Sequence, residues 1–338
     1  MFISGLGLIY SKGRGISRLT YDLEYGHKAP EFVTVPLVKD PLPVFRIAPE
    51  FLEDPLLPHS MRRADRFSRI VTLAALDAIE QSGQTLPNPS RTGILFATSL
   101  GPHVTTFEFL DEILVYGDAG SSPTKFAHSV HNAAVSYIAQ ALQITGPAST
   151  IAQFRNPFEQ ALLLAKAWLV NDCCDQVLVG AGEEYGKVLA YILSRKLTIS
   201  TTGRINSFSN NGYVPGEGVV FFLLSRSPQT DYALNIDLET WTVKSDLHLV
   251  DAEQLPQEVQ DDPLAICYAP VFGHTFLSTA FHAAIAAAMI QEQKIYQGQR
   301  FGSPAMQKRQ FVSRPLNTIA CRRYPNQAHQ QIIVSKQK

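Results

Sequence analysis

The sequence predicts an α/β layered fold in which helices cover a largely parallel central sheet. Strand and helix patterns alternate along the chain, and two continuous apolar runs, residues 175–182 and 219–224, are typical of strands covered on both faces. These elements crowd the first 225 residues and thin out afterwards. We therefore expect an N-terminal half at 1–225 and a truncated C-terminal half at 226–338.

The spacing of apolar residues places the elements in chain order. Helical spacing with Gly83 as a stop signal predicts the first long helix, and short apolar runs predict strands. The Pro-rich residues 26–60 lack periodicity and are expected to be irregular. Helices are predicted over residues 61–81, 103–116, 133–142, 158–170, 188–193 and 276–290. Strands are predicted over residues 1–10, 91–98, 148–154, 175–182, 219–224, 233–243, 264–268, 318–321 and 331–335.

Composition narrows the class of function. The chain has 338 residues, 45% of them hydrophobic, so it can bury a sizeable core, and its formal net charge of −1 argues against nucleic-acid or anionic-membrane binding. The basic pairs Arg62–Arg63 and Arg322–Arg323 are expected at the solvated surface. No secretory signal is visible, the 276–290 helix is too short to cross a bilayer, and the four cysteines lack metal-ligand spacing. A reduced cytoplasmic setting without a metal is expected.

Residues 146–157 have the outline of a strand that runs into a sharp turn and then into a helix start. Such a turn often displays a nucleophile, because its side chains are exposed and the helix amides can hold a developing negative charge. This turn carries Phe154, Arg155 and Asn156, with no Cys or Ser. The pattern therefore predicts a catalytic frame that lacks its catalyst.

Five segments in order resemble motifs of the β-ketoacyl-acyl-carrier-protein synthases. The resemblance implies their thiolase-like layered fold (αβαβα), here with a shortened C-terminal half. The segments are residues 122–133, which resemble the stretch before the nucleophile strand, 146–150, the nucleophile strand, 175–183, a strand ending in a Gly-Glu motif, 208–218, a Gly-Glu-Gly loop, and 273–275, a Gly-His segment. The likeness is specific from about residue 92 to 224, weaker from 264 to 291 and faint elsewhere.

The Gly-rich loop also has an interpretation that is independent of the family. Gly212, Gly216 and Gly218 flank a strand start, where a positive φ or a close backbone approach is expected. An ordinary turn is the alternative. Glu217, next to a buried strand, is expected to be paired rather than catalytic.

The departures from the family pattern predict the loss of its chemistry. The position of the nucleophilic cysteine falls on Arg155, which stays protonated and cannot attack. The family's first histidine loop has no counterpart, since His248 lacks its small neighbours. The second histidine remains as His274, whereas Ala269 replaces the lysine before it and residues 322–326 replace the glycine-rich gating loop. The resemblance thus implies no catalytic residue and no cofactor in this chain.

Ketosynthase-like chains without the cysteine resemble the chain-length factors, which pair with an active ketosynthase. This subgroup implies a pseudoenzyme in a heterodimer or heterotetramer with a β-ketoacyl-ACP synthase, and indirect contact with acyl carrier protein. The short second half and the Arg-rich residues 62–69 look closest to the aryl polyene members. The alternatives are a malonyl-ACP decarboxylase and a stand-alone acyl-binding protein on a decayed thiolase fold.

One group of residues is predicted to form the acyl-tunnel wall and the partner interface. Plain core packing is the alternative for those on the 103–116 helix. The group comprises Phe107, Phe109, Leu110, Ile113, Phe126, Val130, Asn132, Phe154 and Arg155. His128 and His131 could suggest a metal, but no third ligand accompanies them, so local polarity is the preferred interpretation.

Overall fold

The computed structural model describes most of the chain with side chains. The described residues are 1–26, 29–55, 57–83, 88–205, 212–228, 233–240, 243–252, 262, 264–300, 303–307, 310–311, 315–324 and 330–337. The helices are α1 (Ile16–Tyr25), α2 (Arg66–Gln81), α3 (His103–Tyr116), α4 (Pro123–His128), α5 (Ala133–Leu142), α6 (Pro157–Val170), α7 (Lys187–Lys196), α8 (Ala269–Phe272) and α9 (Ser278–Glu292).

The strands alternate with these helices, as the sequence predicts. They are β1 (Phe2–Tyr10), β2 (Gly13–Arg14), β3 (Glu31–Val33), β4 (Leu42–Val44), β5 (Thr92–Thr98), β6 (Ala148–Ala152), β7 (Gln176–Glu183), β8 (Gly218–Ser225), β9 (Leu234–Thr240), β10 (Leu247–Ala252), β11 (Ala265–Ile266), β12 (Lys294–Ile295), β13 (Gly298–Arg300), β14 (Ser303–Gln307), β15 (Gln310–Phe311), β16 (Thr318–Tyr324) and β17 (Gln330–Lys336). The pairs β3–β4, β12–β15 and β13–β14 stand apart from the main sheet.

The main sheet has eleven strands and repeats one arrangement twice. Its order is β11-β10-β16-β17-β9-β1-β8-β7-β5-β6, with β2 beside β1. On the first side β5 runs parallel to β6 and β7, and β8 is antiparallel to β7 and β1. On the second side β10 runs parallel to β11 and β16, and β17 is antiparallel to β16 and β9. The matching orders support our proposal to describe the chain as halves 1–225 and 226–338.

The α/β class is confirmed, but the expectation of a largely parallel sheet is wrong. Four of the strand pairs in the main sheet are parallel. Its centre, formed by β1, β8, β9 and β17, is antiparallel. Every residue of β7 and of β8 is buried, although these two strands run antiparallel. A continuous apolar run therefore reports coverage on both faces and says nothing of strand direction.

Two helix layers position the site. One core cluster joins α6 and α9 to strands of both halves, so these two helices form the middle layer. A second cluster joins α2 and α5 to the opposite face of β1, β5, β7 and β8. Because the middle helices follow β6 and β11 respectively, the repeat brings the beginnings of α6 and α9 together.

Several predicted boundaries shift for local reasons. The helix expected from residue 61 begins at Arg66, since Asp65 caps it by accepting a hydrogen bond from the Ser68 backbone N–H, and a separate 3₁₀ turn covers His59–Arg63. The stretch 26–60, expected to be irregular, contains the β3–β4 hairpin. The predicted strand over 148–154 ends at Ala152.

The two basic pairs differ in their surroundings. Arg62 and Arg63 are exposed, as expected. Arg322 and Arg323 are half-buried on β16, which contradicts the surface prediction, because Arg322 Nε donates to Gln331 Oε1 (2.7 Å) on the neighbouring strand. Among the helices of the described residues, none has the length and apolar character needed to span a bilayer.

Candidate functional site

The turn after β6 has the strand–turn–helix geometry that the sequence predicts. The backbone N–H of Gln153 donates to Thr98 O (3.1 Å), and its side chain donates to Arg155 O (2.7 Å). Asn156 takes a left-handed conformation (φ 51°, ψ 42°), and Pro157 begins α6 with a fixed φ. Arg155 is exposed at this turn. The elbow is thus intact as a backbone structure.

An aromatic and cationic contact lies beside the elbow. The Phe154 ring meets the Phe276 ring edge-on, with centroids 6.1 Å apart, and the Arg323 guanidinium lies 5.8 Å from the centroid of Phe276. These side chains come from the elbow, from the segment before α9 and from the end of β16. The structure therefore joins the elbow, which lies in the first half, to the second half of the chain through packing and a cation–π contact.

The first turn of α6 contains a buried carboxyl group, that of Glu159. Glu159 is buried, and its side chain accepts a hydrogen bond from Thr279 in the first turn of α9. Burial raises the pKa of this carboxyl, and the nearby Arg323 partly opposes that rise. Sequence reasoning did not single out Glu159 or Phe276, and it did not place Arg323 near them, because their juxtaposition depends on the duplicated topology.

His274 is held by the glycine-rich loop. Its Nδ1 lies 3.2 Å from both the backbone N and O of Val214, and its ring stacks on Tyr213 at 4.5 Å. The backbone N–H of His274 also donates to Val214 O (2.8 Å). The ring is therefore tied to the loop of residues 212–218, with only 8% of the residue exposed.

Two other positions at which the family carries a catalytic residue, Ala269 and His248, lie in different environments. Ala269 begins α8 and is fully buried in an apolar cluster with Val214 and Val250, where an unpaired lysine would be costly. His248 lies within β10, where its Nδ1 contacts Asp262 and is 3.4 Å from Arg322 Nη1. His248 is thus held in a local charged cluster.

The prediction for the glycines is confirmed. Gly212 has a positive φ of 111°. A Cβ on Gly216 would lie 1.9 Å from Phe272 O, and one on Gly218 would lie 2.7 Å from the Phe281 ring. The loop packs so closely on α8 and α9 that side chains are excluded. Residues 208–211 of this motif lie outside the described residues.

Glu217 is paired, as expected, and its partner is Arg66. The carboxylate forms two hydrogen bonds with the guanidinium, one of them 2.9 Å long, and also accepts from the backbone N–H groups of Ile47 and Tyr185. The side chain of Glu217 is fully buried. The carboxylate thus joins the residue before β8 to the start of α2 through the ion pair, and to the segment after β7 through the Tyr185 hydrogen bond, which sequence analysis did not foresee.

A third buried carboxyl, Glu183, lies at the end of β7. Its Oε1 accepts from Thr98 Oγ1 (3.1 Å) and from the Ser99 backbone N–H. Burial raises the pKa of Glu183 to about 7, although these hydrogen bonds oppose the rise. The group thus fastens the loop that leads from β5 into α3.

Stability should therefore depend on pH through Glu183. Its pKa is about 7 when folded and about 4.3 when unfolded, so its stabilising contribution is complete below pH 4.3 and is lost as pH rises through 7. Between pH 5 and 8 we expect the free energy of unfolding to fall by about 2–3 kcal/mol relative to Glu183→Gln, which keeps the acceptor oxygen. Urea titrations of both proteins at the two pH values measure this difference, and parallel pH profiles would contradict it.

The residues proposed for the tunnel and interface lie largely outside the core. Of α3, only His103 and Thr105 are buried, whereas Phe107 is 37% and Leu114 is 83% exposed. Plain core packing therefore does not describe this helix in the single chain. Leu110 is exposed as well, and Phe109 and Ile113 are half-buried.

The neighbouring elements extend this apolar surface. The Phe109 ring contacts Phe126 of α4, with centroids 5.5 Å apart, and Val130, Asn132 and Phe154 are also exposed. The strand β6 ends the sheet, and within the described residues its outer edge has no strand neighbour. An exposed apolar surface and an open sheet edge are each typical of a protein–protein contact.

The histidines after α3 have local partners. His128 is buried, with Nε2 2.7 Å from Tyr137 Oη, while His131 is exposed. No group of three or more metal-ligating side chains occurs in the described part of the chain. The preferred interpretation of local polarity agrees with this geometry.

Comparison with known proteins identifies a family profile that matches part of the chain, and solved structures that share its fold. Residues 48–187, somewhat under half of the chain, match the sequence profile of the β-ketoacyl synthase N-terminal domain. No curated protein matches the chain in sequence.

Solved ketosynthase structures share the fold over nearly their whole length. The ishigamide ketosynthase/chain length factor has a TM-score of 0.78 at 14% identity, covering 100% of this chain and 99% of that one. A β-ketoacyl synthase from Burkholderia phymatum STM815 has a TM-score of 0.77 at 11% identity, with 100% and 99% covered. The complex of the ketosynthase ApeO with its chain length factor ApeC from Xenorhabdus doucetiae has a TM-score of 0.75 at 13% identity, with 99% and 98% covered. The thiolase-like ketosynthase fold is confirmed.

Proposed function

We propose that this chain is a non-catalytic, ketosynthase-like subunit, a chain-length factor that pairs with an active β-ketoacyl-ACP synthase. The elbow carries the proposal: a ketosynthase fold presents an intact strand–turn–helix with Arg155 at the position of the nucleophile. An arginine side chain cannot form the acyl thioester on which condensation depends. The subunit would instead stabilise its partner and shape the acyl tunnel.

The exposed apolar surface supports the pairing. Phe107, Leu110, Phe126 and Val130 are exposed and the outer edge of β6 is open, and a chain that exposes such surfaces gains stability by covering them. Two of the similar structures are described as a ketosynthase with its chain length factor, and a third as an acyl carrier protein in complex with its ketosynthase. We propose the same kind of heterodimer or heterotetramer here, with indirect contact to acyl carrier protein.

The α3 helix is our candidate for the part that limits chain length. Its apolar side chains point away from the core of this subunit, so a partner can use them as one wall of its tunnel. Phe107 and Leu110 form the proposed stripe with Ile113, and Phe109 supports it through Phe126.

A finer placement among aryl polyene systems is part of this proposal, as is a reduced cytoplasmic setting. The likeness to the ApeO–ApeC complex is compatible with the aryl polyene placement at the level of fold. Cys173, Cys174 and Cys321 are free thiols in the structure, and the last two are buried, which suits a reducing compartment.

The test is reconstitution with an intact β-ketoacyl-ACP synthase from the same organism. We expect a stable 1:1 pair that elongates acyl chains, whereas the chain alone should neither condense acyl groups nor decarboxylate malonyl-carrier protein. Decarboxylation by the isolated chain would favour a primer-supplying enzyme. The side chain of Gln153, the nearest amide to the elbow, is already bonded to Arg155 O, which does not favour that activity.

The same reconstituted pair tests the tunnel wall. Phe107→Ala and Leu110→Ala should each lengthen the product by removing bulk from the wall, with mass spectrometry as the measurement. Val170→Ala, an exposed apolar residue at the far end of α6, is the matched control and should leave product length unchanged. Unchanged products from both α3 variants would contradict the role of this helix.

A further inference from the structure

The outer side of α7 carries an exposed apolar stripe flanked by cations. The exposed apolar side chains recur at the i, i+3 and i+4 spacing of one helix face and are Val188, Tyr191 and Ile192. The buried residues of the helix, Ala190 and Leu193, lie on the opposite face. By the same helical spacing, Lys187 and Lys196 lie on either side of the stripe, and Arg195 lies at its C-terminal end. The stripe therefore faces outwards with a cation on each side.

The β3–β4 hairpin extends this face. One buried cluster packs α7 against the hairpin. On the outside, a depression of about 780 Å³ is lined by Phe32, Leu37 and Lys39 of the hairpin and by Arg195 of α7. Phe32 is 49% and Leu37 is 92% exposed. The apolar stripe of α7 and the apolar tip of the hairpin thus belong to one face, which we call the basic face and define as residues 31–46 and 187–204.

Leu37 occupies a turn position that disfavours leucine. The backbone N–H of Val38 donates to Val35 O (3.2 Å), so residues 35–38 form a turn with Pro36 in its second position. Leu37, in the third position, has a φ of 64°, a conformation that Gly or Asn adopts most readily. The leucine is thus strained, and its exposed side chain adds nothing to the core. Its placement suits a contact outside the chain.

The basic face carries an excess of positive charge that the whole chain does not. Residues 185–204 contain four Lys or Arg and no Asp or Glu, and residues 31–46 add two cations and two carboxylates. All these charged side chains are exposed. The cations are Lys39, Arg46, Lys187, Arg195, Lys196 and Arg204. None of them takes part in an ion pair with another residue that the structure describes. The net charge of −1, which argued against an anionic membrane, averages over this local excess.

Acidic groups border the basic face at α3. A second pocket, lined by Arg46 and Lys187, also has Glu108 and Asp111 of α3 in its wall. Glu108 lies 3.2 Å from Lys125 Nζ and is neutralised by it, which leaves Asp111 opposite the two cations. The face therefore stays positive at this border as well.

We propose that the basic face is a peripheral contact site for an anionic lipid bilayer. Leu37, Phe32 and the stripe of α7 enter the boundary between headgroups and acyl chains, while the cations contact lipid phosphates. Exposed apolar side chains flanked by Lys and Arg are typical of surfaces that bind at this boundary. A bilayer is preferred to an acidic protein because Leu37 projects almost fully, and fluid lipid accepts a projecting side chain without a matching cavity. The site is independent of the pairing surface on α3 and α4.

Co-sedimentation of the purified full-length chain with vesicles tests the proposal. We expect the chain to bind vesicles that contain phosphatidylglycerol in phosphatidylcholine, and not vesicles of phosphatidylcholine alone. Salt at about 1 M, where the Debye length is about 3 Å, should release it. A chain that ignores the anionic vesicles would overturn the proposal, as would equal binding to both kinds of vesicle.

A double variant assigns the contact to α7. Arg195→Gln with Lys196→Gln should weaken vesicle binding roughly 25-fold, since each cation beside an anionic membrane contributes a factor of about five. Lys166→Gln with Arg226→Gln is the control, because it removes the same net charge and should leave binding unchanged. Arg226 follows β8, whose last residue pairs with the first residue of β7, whereas α7 follows the end of β7. Vesicle binding that resists the α7 variant would place the contact elsewhere and contradict the proposal.

Leu37→Asn separates membrane contact from folding. Asn adopts a positive φ more readily than leucine, so the urea midpoint of unfolding should not fall. Vesicle binding should weaken about ten-fold, because a leucine no longer enters the bilayer. Unchanged vesicle binding by this variant would contradict insertion of the hairpin tip.

An acidic protein is the alternative occupant, and the same α7 variant distinguishes it. If the unmodified chain ignored the vesicles and the variant lost an acidic protein from the reconstituted pair, the basic face would belong to that protein and the membrane proposal would be wrong. Vesicle binding is measured without a ketosynthase, so its failure leaves the proposed pairing untouched.

Discussion

Phe126→Asp is expected to separate this chain from an active ketosynthase. Phe126 is 59% exposed on α4 and packs against Phe109 of α3, within the exposed apolar surface of these two helices. A carboxylate there would have to be buried without a partner when the subunits meet, which is strongly unfavourable. We expect the dissociation constant of the pair to rise about 100-fold, which corresponds to about 3 kcal/mol of lost binding free energy. Analytical ultracentrifugation of the co-purified pair measures this change.

The control for this variant is Tyr25→Asp. Tyr25 is 70% exposed at the end of α1, and its ring contacts Tyr21 at 4.8 Å, so it matches Phe126 in exposure and in having an aromatic neighbour. It should leave the pair intact. If Phe126→Asp and the second variant Val130→Asp both bind like the unmodified chain, the proposed surface is not the interface.

Glu217→Ala should destabilise the fold itself. Removing this carboxylate leaves the Arg66 guanidinium, which is largely buried, without its ion pair and frees the backbone N–H groups of Ile47 and Tyr185. Breaking one side of a buried pair costs about 3–5 kcal/mol, and we expect a loss of that size in urea unfolding.

An exposed ion pair provides the matched comparison. Arg91 and Asp175 are 2.8 Å apart, and both side chains are substantially exposed. Asp175→Ala should therefore cost less than about 1 kcal/mol. Equal losses for Glu217→Ala and Asp175→Ala would show that burial of the first pair does not govern its contribution.

The sequence predicted those features that depend on neighbours along the chain. The elbow is a local pattern of a strand, a turn and a helix that begins with proline. The amino-acid sequence was therefore enough to place Arg155 at an exposed turn. The glycines of residues 212–218 were likewise readable, because their backbone requirement is local. The direction of the strands could not be predicted, because a strand buried on both faces shows the same apolar run whether it is parallel or antiparallel to its neighbours.

The remaining features depend on contacts between distant segments. Arg66 and Glu217 are 151 residues apart in sequence, and the local sequence around either residue does not predict that they pair. The contact of Phe154 with Phe276 and Arg323 exists because the repeated strand order brings α6 and α9 together. On α3, periodicity identified an apolar stripe but could not tell whether it faces the core, and the exposure of Phe107 and Leu110 shows that in the single chain it does not.

The position of β1 at the centre of the sheet also sets the timing of folding during synthesis. Ser4 of β1 contacts Ser225 of β8 across 221 residues of chain, and β1 borders β9 on its other side. At about 5–20 residues per second, a ribosome needs on the order of 10–40 seconds to make the strands between which β1 lies. During that interval an apolar strand waits without its neighbours, so the nascent chain depends on protection from aggregation until both halves have emerged.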